Sequence, residues 1–239
     1  MEKTETYSAS VGKRVHRYLF DQNTARASTR DFVSFLSGRL PATVVFGGMI
    51  RDLGLGSARD FNSDIDLVSM ADKADILAAI RIHNPEINKF GGFRFIVGRQ
   101  LFDIWSFRDT WAFKEGLVKA ETLKDLCATT FFNLDAAYQP LKSSYVVGAA
   151  NYVEALNRRI LDINLEHNPA PEKAAWRAIR MAIGHDLAIS SRLQEYILKS
   201  AATTLWASGP TRAFLDLAAK HLESGANEPF RFEPQPNLL

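Results

Sequence analysis

The feature that most constrains the fold is a short β-type run that ends in paired glycines and opens into a helix-like stretch. Residues 43–48 read TVVFGG, and residues 49–56 read MIRDLGLG, enough for about two helical turns. A second β-type run, SDIDLVSM at 63–70, alternates aspartates with apolar residues. An amphipathic segment at 71–82 follows it. This order predicts a sheet with helices packed against it.

Two further β-type runs extend that sheet. They read GGFRFIVG at 91–98 and QLFDIWSF at 100–107, and a polar turn containing glycine separates them. That arrangement is typical of an antiparallel hairpin, so we expect a mixed sheet and a fold of the α+β class.

Helical patterns lie on both sides of the β-type runs. Apolar residues at helical spacing predict two helices between residues 8 and 40. Helix-like periodicity returns in the segments 121–134, 154–159, 171–189, 191–206 and 211–223. Residues 230–239 read FRFEPQPNLL and predict an extended tail.

Composition excludes several classes of protein. The chain has 239 residues, of which 46% are hydrophobic and 23% charged, as in a globular enzyme. A net charge of +2 demands no nucleic-acid partner, although a local basic face stays possible. The single cysteine, Cys127, excludes an intramolecular disulfide framework. Neither a signal-type segment nor an apolar run of ~20 residues is present, so we expect a cytoplasmic protein with no membrane partner.

Three aspartates carry the candidate chemistry. Asp64 and Asp66 lie two apart in a predicted strand, so their side chains leave one face about 6 to 7 Å apart. Asp103 lies between Phe102 and Ile104, where a carboxylate costs free energy unless it is paired or binds a metal. Carboxylate oxygens completed by substrate phosphates suit Mg²⁺ or Mn²⁺. In a two-metal displacement, Asp103 would belong with the attacking hydroxyl.

Each of these features has a simpler interpretation. An Asp-x-Asp pair occurs by chance in many chains, and Gly47-Gly48 alone is most simply a tight turn. Together they indicate a site, because a glycine turn that opens a helix offers backbone N–H groups to a phosphate. The spacing of the glycines excludes a dinucleotide-binding fold of the Rossmann type, because they do not follow the pattern G-x-G-x-x-G.

The string VVFGGMIRDLGLG followed by SDIDLV resembles the signature of the polymerase-beta-type nucleotidyltransferase superfamily, specifically the head domain of poly(A) polymerases and tRNA CCA-adding enzymes. FDIWSFR is similar to that family's strand in which a carboxylate precedes a Phe-Arg pair, which places Asp103 and Arg108 on the pattern. FFNLDAAY resembles the segment that closes the head domain, and WRAIRMA resembles the neck helix, both more weakly. The resemblance extends over residues 40–185.

The resemblance implies a polymerase-beta-like mixed sheet with packed helices, followed by a small helical region. It divides the chain into N-terminal helices at 1–40, a nucleotidyltransferase head domain at 41–140 and a mainly helical C-terminal region at 141–239. It also implies an enzyme that moves a nucleoside monophosphate from an NTP, such as ATP, to an acceptor hydroxyl and releases pyrophosphate. The acceptor would be an RNA 3′ end, a protein side chain or a small molecule.

The resemblance also assigns residues to roles. Asp64, Asp66 and Asp103 would be catalytic and would bind the metal. Gly47, Gly48, Arg51 and Arg108 would bind the nucleotide. For Arg51 a phosphate contact and a structural role are both open, and for Arg108 a plain salt bridge is equally open.

Departures from the family pattern limit what the resemblance implies. The family's Arg-Arg-Asp is replaced by Ala128-Thr129-Thr130, and Ala170, Pro171 and Ala174 stand where a base-reading acidic-plus-arginine motif is expected. Templated addition of C and A is therefore not expected. About 60 residues follow Arg180, which implies a different or smaller acceptor than tRNA.

Those departures leave a second hypothesis open. The chain would then be a non-catalytic nucleotide-binding module or a regulatory, antitoxin-like module on the same fold. Against it, three adjacent carboxylates repel one another and are costly without a metal.

Other candidates favour structural roles. Arg177 and Arg180 lie three apart on one helical face, which favours a solvated surface over a phosphate contact. The aromatic residues around Asp103 favour core packing over base stacking. They are Trp105, Phe107, Trp111 and Phe113.

Overall fold

The computed structural model describes residues 2–22, 24–56, 61, 63–201, 209–226 and 228–233. The helices are α1 (Glu2–Leu19), α2 (Ala27–Arg39), α3 (Gly48–Leu55), α4 (Lys73–Ile80), α5 (Trp111–Lys114), α6 (Tyr152–Arg158), α7 (Pro171–Gly184), α8 (Ser191–Ala201) and α9 (Gly209–Glu223). The strands are β1 (Val44–Phe46), β2 (Ile65–Ser69), β3 (Glu86–Ile87), β4 (Phe93–Val97), β5 (Gln100–Ser106), β6 (Ala137–Pro140), β7 (Val147–Gly148), β8 (Ile160–Leu161), β9 (Ala188–Ile189) and β10 (Phe230–Arg231).

Contacts divide the chain into two units. The first comprises Met1–Thr130 with Leu134–Val153, and the second comprises Phe131–Asn133 with Glu154–Leu239. The three-part division of the sequence stays a prediction. Helices that could cross a bilayer are absent from the described part of the chain.

The first unit holds a mixed sheet in the order β3-β4-β5-β2-β1-β6-β7. Strands β2 and β5 run parallel, and the other neighbours are antiparallel. The predicted mixed α+β fold and the predicted hairpin of β4 and β5 are therefore confirmed. The hairpin turns at residues 98–99, where Gly98 has a φ of +62°, a conformation that glycine adopts without steric cost.

Strands β6 and β7 correct the sequence analysis, which predicted helical structure beyond residue 121. β6 pairs with β1 and completes the sheet, whereas Leu123–Ala128 and Asn133–Asp135 form only short 3₁₀-helices. The sequence of β6, AYQP, has no β-branched residue and no alternation. Its pairing with β1 depends on residues almost one hundred positions away, so a local pattern could not reveal it.

The second unit contains helices α7, α8 and α9 and a three-stranded sheet in the order β10-β9-β8. The prediction of an extended tail from residue 230 is wrong for its first two residues, since Phe230 and Arg231 pair with β9. Residues 234–239 lie outside the described residues, as do residues 202–206 of the predicted helix at 191–206.

One face of strands β4 and β5 packs on helix α2 and is strongly aromatic. The Phe32 ring contacts the rings of Phe95 and Phe102 at centroid distances of 5.4 and 5.0 Å. Along β4 the residues alternate between buried and exposed, so Arg94 and Ile96 lie on the opposite face. Because α2 covers one face, a ligand can approach only the opposite face, which carries Arg94 and Ile96. We call it the available face.

The residues around the end of β5 form core, as the sequence analysis predicted. Phe107 and Cys127 are buried in one apolar cluster, and Trp105 and Phe113 pack against it. Burial raises the pKa of the Cys127 thiol to about 12, so the thiol stays protonated at neutral pH. Cys127 is therefore a small buried hydrophobe.

A buried ion-pair network lies behind the glycine turn between β1 and α3. Arg51 Nε donates to Asp52 at 2.8 Å, and Arg51 Nη1 donates to Asp135. Burial lowers the pKa of Arg51, but its ion pairs with Asp135 and Asp52 outweigh that effect and raise it above its ordinary value. The backbone N–H of Gly47 also donates to the carbonyl oxygen of Ala137, at 2.9 Å. The network joins α3 to the segment that leads into β6.

We expect Gly12→Ala to lower the free energy of unfolding by about 1–3 kcal/mol, because a new methyl group would overpack a closed contact. A Cβ on Gly12 in α1 would lie 2.1 Å from the backbone oxygen of Ser144. Gly38→Ala is the matched control, since no atom lies within 4 Å of its Cβ position in α2 and alanine favours helix. Urea denaturation followed by circular dichroism measures both. Equal stabilities of the two variants would contradict this packing.

We expect Asp135→Ala to lower the free energy of unfolding by about 3 kcal/mol, because it leaves the Arg51 guanidinium buried with only one carboxylate. Asp135 and Arg51 are 6% and 7% exposed. Asp216→Ala removes an aspartate from an exposed pair with Arg212 and should change stability by less than about 0.5 kcal/mol. Denaturation midpoints of the two variants decide the question, and a neutral Asp135→Ala would show that the pair is not stabilising.

Candidate metal and nucleotide site

Three carboxylates meet on the face of the sheet opposite α2. Strands β2 and β5 are parallel neighbours, and their register places Asp66 directly beside Asp103. Asp64 lies two residues earlier, immediately before β2. One oxygen from each of the three side chains can be chosen so that all lie within 4.8 Å of one another. We call Asp64, Asp66 and Asp103 the carboxylate cluster.

Neighbouring side chains fix the chain immediately ahead of β2. The Gln100 amide donates to the carbonyl oxygen of Ser63 at 2.8 Å, and it accepts a hydrogen bond from the Tyr18 hydroxyl at 3.3 Å. The Ser63 hydroxyl donates to Asp64 Oδ1 at 2.9 Å. These contacts hold the Asp64 carboxylate toward β5 before any ligand binds.

Arg94 of β4 is a member of the site that the sequence analysis missed. Its Nε donates to both oxygens of Asp103 at 3.1 Å, and its Nη2 donates to Asp103 and, at 3.2 Å, to Asp64. The Asn88 amide adds a longer bond of 3.4 Å to Asp103. Hydrogen bonding to Asp103 and the charge of Asp103 raise the pKa of Arg94.

The hairpin could have revealed Arg94 from the sequence. Its two-residue turn at 98–99 places residue 94 directly opposite residue 103. An arginine opposite an aspartate in a hairpin is a recognisable cross-strand ion pair.

The residues of the cluster fit a hard divalent cation. Its three carboxylates offer oxygens that lie close together, and the Arg94 guanidinium bonds to two of these side chains, Asp64 and Asp103. Asp103 is 5% exposed, and a carboxylate so buried needs cationic partners. An all-oxygen set of two or three carboxylates is what Mg²⁺ or Mn²⁺ takes from a protein when substrate oxygens complete the shell.

The paired glycines lie at the start of α3, as the sequence predicted. Gly47 has a φ of +68°, and its carbonyl oxygen accepts the first helical hydrogen bonds, from Ile50 and Arg51. The N–H groups of Gly48 and Met49 precede those bonds and are the type of donor that a phosphate uses at a helix N-terminus. Phosphate binding by Gly47 and Gly48 stays a prediction.

The two predicted nucleotide-binding arginines occupy different environments. Arg51 is buried against Asp52 and Asp135, and its guanidinium would lie 3.5 Å from a Cβ on Gly48. Arg108 is exposed in a 3₁₀-helix, Phe107–Asp109, that follows β5. A phosphate contact by either side chain stays a prediction.

Of the two weaker matches, WRAIRMA lies in the second unit, and FFNLDAAY is divided between the units, with only Phe131–Asn133 in the second. The Asn133 amide donates to Ile160 O at 3.1 Å and accepts from Asp162 N–H at 2.9 Å, so it fixes the backbone beside β8. Arg177 and Arg180 are exposed on α7, as expected of a solvated face. The Arg177 guanidinium lies 5.8 Å from the centre of the Phe132 ring.

No protein-family model and no curated protein matches this sequence. Solved structures do resemble the fold. A CCA-adding enzyme bound to CTP matches with a TM-score of 0.58 at 19% identity, over 88% of this chain and 51% of that one. The Bacillus stearothermophilus CCA-adding enzyme in complex with CTP matches with a TM-score of 0.51 at 15% identity, over 82% of this chain and 49% of that one.

A tRNA nucleotidyltransferase complexed with a primer tRNA and an incoming ATP analog also matches. Its TM-score is 0.50 at 18% identity, over 74% of this chain and 52% of that one. The chain thus spans about half the length of the solved structures that it matches. At these identities the likeness concerns the fold alone, which this chain shares with the matched half of tRNA CCA-adding enzymes.

Proposed function

We propose that this protein is a metal-dependent nucleotidyltransferase that moves a nucleoside monophosphate from an NTP to an acceptor hydroxyl and releases pyrophosphate. The observation that carries the proposal is the carboxylate cluster, whose oxygens lie within 4.8 Å on the available face of a nucleotidyltransferase-like sheet. Neighbouring strands hold two of the carboxylates in register, and hydrogen bonds ahead of β2 hold the third. The backbone of the sheet therefore holds the three acidic residues close together.

Asp64, Asp66 and Asp103 would hold Mg²⁺ or Mn²⁺, which when bound would activate the attacking hydroxyl and neutralise charge on the phosphates. Asp103 lies directly beside Asp66 on the neighbouring strand and would face the acceptor hydroxyl. Asp64, at the start of β2, would lie on the side of the triphosphate.

The glycine turn and Arg108 would bind the triphosphate. Backbone N–H groups at Gly48 and Met49 begin α3, where the helix dipole favours an anion. Arg108 is exposed in the 3₁₀-helix that follows β5, the strand that carries Asp103. Arg51 would support this part of the site through Asp135, because its guanidinium is buried.

An RNA 3′ end is the acceptor class that we propose first. Solved structures with this fold are described in complex with CTP and with a primer tRNA, but this chain spans only half of each. The sequence departures at Ala170, Pro171 and Ala174 argue against templated addition of C and A. A buried, protonated Cys127 suits the reducing cytoplasm, which we propose as the location.

We expect the purified protein to transfer label from an α-labelled NTP in the presence of Mg²⁺ or Mn²⁺. Asp66→Ala should lower the transfer rate at least a hundredfold, because the ligands of a catalytic metal supply several kcal/mol of transition-state stabilisation. Asp75→Ala removes an exposed aspartate on α4 and should leave the rate unchanged. The assay uses each of the four NTPs with and without total RNA.

The product that carries the label identifies the acceptor. Label on RNA would support the RNA proposal, whereas label on protein or on a small molecule would replace that acceptor and keep the reaction. No transfer by a protein that still binds NTP would contradict the enzyme and favour the non-catalytic nucleotide-binding module. Equal rates for Asp66→Ala and the control would exclude the carboxylate cluster as the site.

A further inference from the structure

Arg94 lies between acidic residues on both neighbouring strands. The register of β4 places it opposite Asp103 on β5 and opposite Glu86 on β3. Residues directly opposite in antiparallel strands point to the same face, so the three side chains share the available face of the sheet. In the structure the Arg94 guanidinium bonds to Asp103 and Asp64, and Glu86 is exposed.

The guanidinium of Arg94 uses the same atoms that a metal would use. It donates to both oxygens of Asp103 and to one oxygen of Asp64. A divalent cation on those oxygens would bring like charges close together, since arginine keeps its charge at every physiological pH. The guanidinium and the cation therefore compete for the cluster.

Arg94 can leave the cluster at small cost. Its side chain is 47% exposed, whereas that of Asp103 is 7% exposed, so the arginine approaches from the solvent side. Its long side chain can rotate toward β3 without disturbing the core. Glu86 offers a carboxylate on that side at the distance of a direct cross-strand neighbour.

We propose that Arg94 is a resident counter-cation that leaves the carboxylate cluster when a divalent cation binds and then pairs with Glu86. This inference rests on the proposed function, because it takes the cluster to be a metal site. In the metal-free protein Arg94 reduces the mutual repulsion of three carboxylates. The position of the Arg94 side chain therefore depends on whether the cluster holds a metal.

Calorimetric titration of the full chain with Mn²⁺ tests the competition. Arg94→Gln should bind Mn²⁺ about fivefold more tightly than the natural protein, the ratio expected when a half-exposed ion pair no longer has to be broken. The matched control is Arg99→Gln, which removes the same charge from an exposed position in the same hairpin. It should leave the affinity unchanged within about twofold.

Glu86→Gln tests where the guanidinium goes. In the natural background this change should weaken Mn²⁺ binding, because displaced Arg94 loses its second partner. In the Arg94→Gln background the same change should have a smaller effect, and the difference between the two backgrounds isolates the pair. Equal effects in both backgrounds would overturn the second position of Arg94.

A side-chain NMR measurement with Mg²⁺ observes Arg94 directly. The Nε–H signal that is absent from Arg94→Lys should shift when Mg²⁺ is added, because its hydrogen bonds to Asp103 break. An unchanged signal in a protein that binds Mg²⁺ would overturn the displacement.

The outcomes separate this inference from the proposed function. Equal Mn²⁺ affinities of the natural protein and Arg94→Gln overturn the inference and leave the metal site intact. Binding by Arg94→Gln alone overturns the displacement, because Arg94 then keeps the metal out of the natural protein. No Mn²⁺ binding by either protein overturns the inference, whereas label transfer from NTP tests the proposed function independently.

Discussion

The mutual repulsion of three carboxylates is the constraint on which the rest of the site depends. Asp64, Asp66 and Asp103 offer oxygens within 4.8 Å of one another, and like charges this close oppose one another. Support comes from the opposite face of the sheet, where Phe32 packs on the aromatic residues of β4 and β5. Hydrophobic burial there holds the strands in register, and the register in turn holds the acidic groups together.

Two arginines stabilise acidic groups in this unit, and their surroundings give them different properties. Arg51 is buried with Asp52 and Asp135. If one of these carboxylates is removed, the charge of the guanidinium is only partly compensated, and water cannot reach it. Arg94 binds Asp103 from the solvent side, and water can replace the carboxylates as its partner. The first arginine therefore suits a fixed connection behind the glycine turn, and the second suits an exchangeable one at the cluster.

Local patterns predicted the parts of this fold that short-range geometry determines. Period-two alternation placed Asp64 and Asp66 on one face of a strand. The polar turn at 98–99 indicated the β4–β5 hairpin that carries Asp103. Long-range partners were not predictable in the same way, because Asp135 meets Arg51 across 84 positions and β6 has neither a β-branched residue nor alternation. Arg94 is the intermediate case, since the register of a two-residue turn determines its partner.

The departures from the family pattern leave the carboxylate cluster intact and remove polar groups elsewhere. Pro171 stands at the first position of α7, where proline is favoured because no N–H is needed there. Ala174 is buried on the same helix and offers no polar side chain to a base. Where a base-reading motif is expected, these positions therefore serve to start and pack a helix. If the proposed transfer reaction is correct, the carboxylate cluster would support it without this motif, and other residues would select the nucleotide.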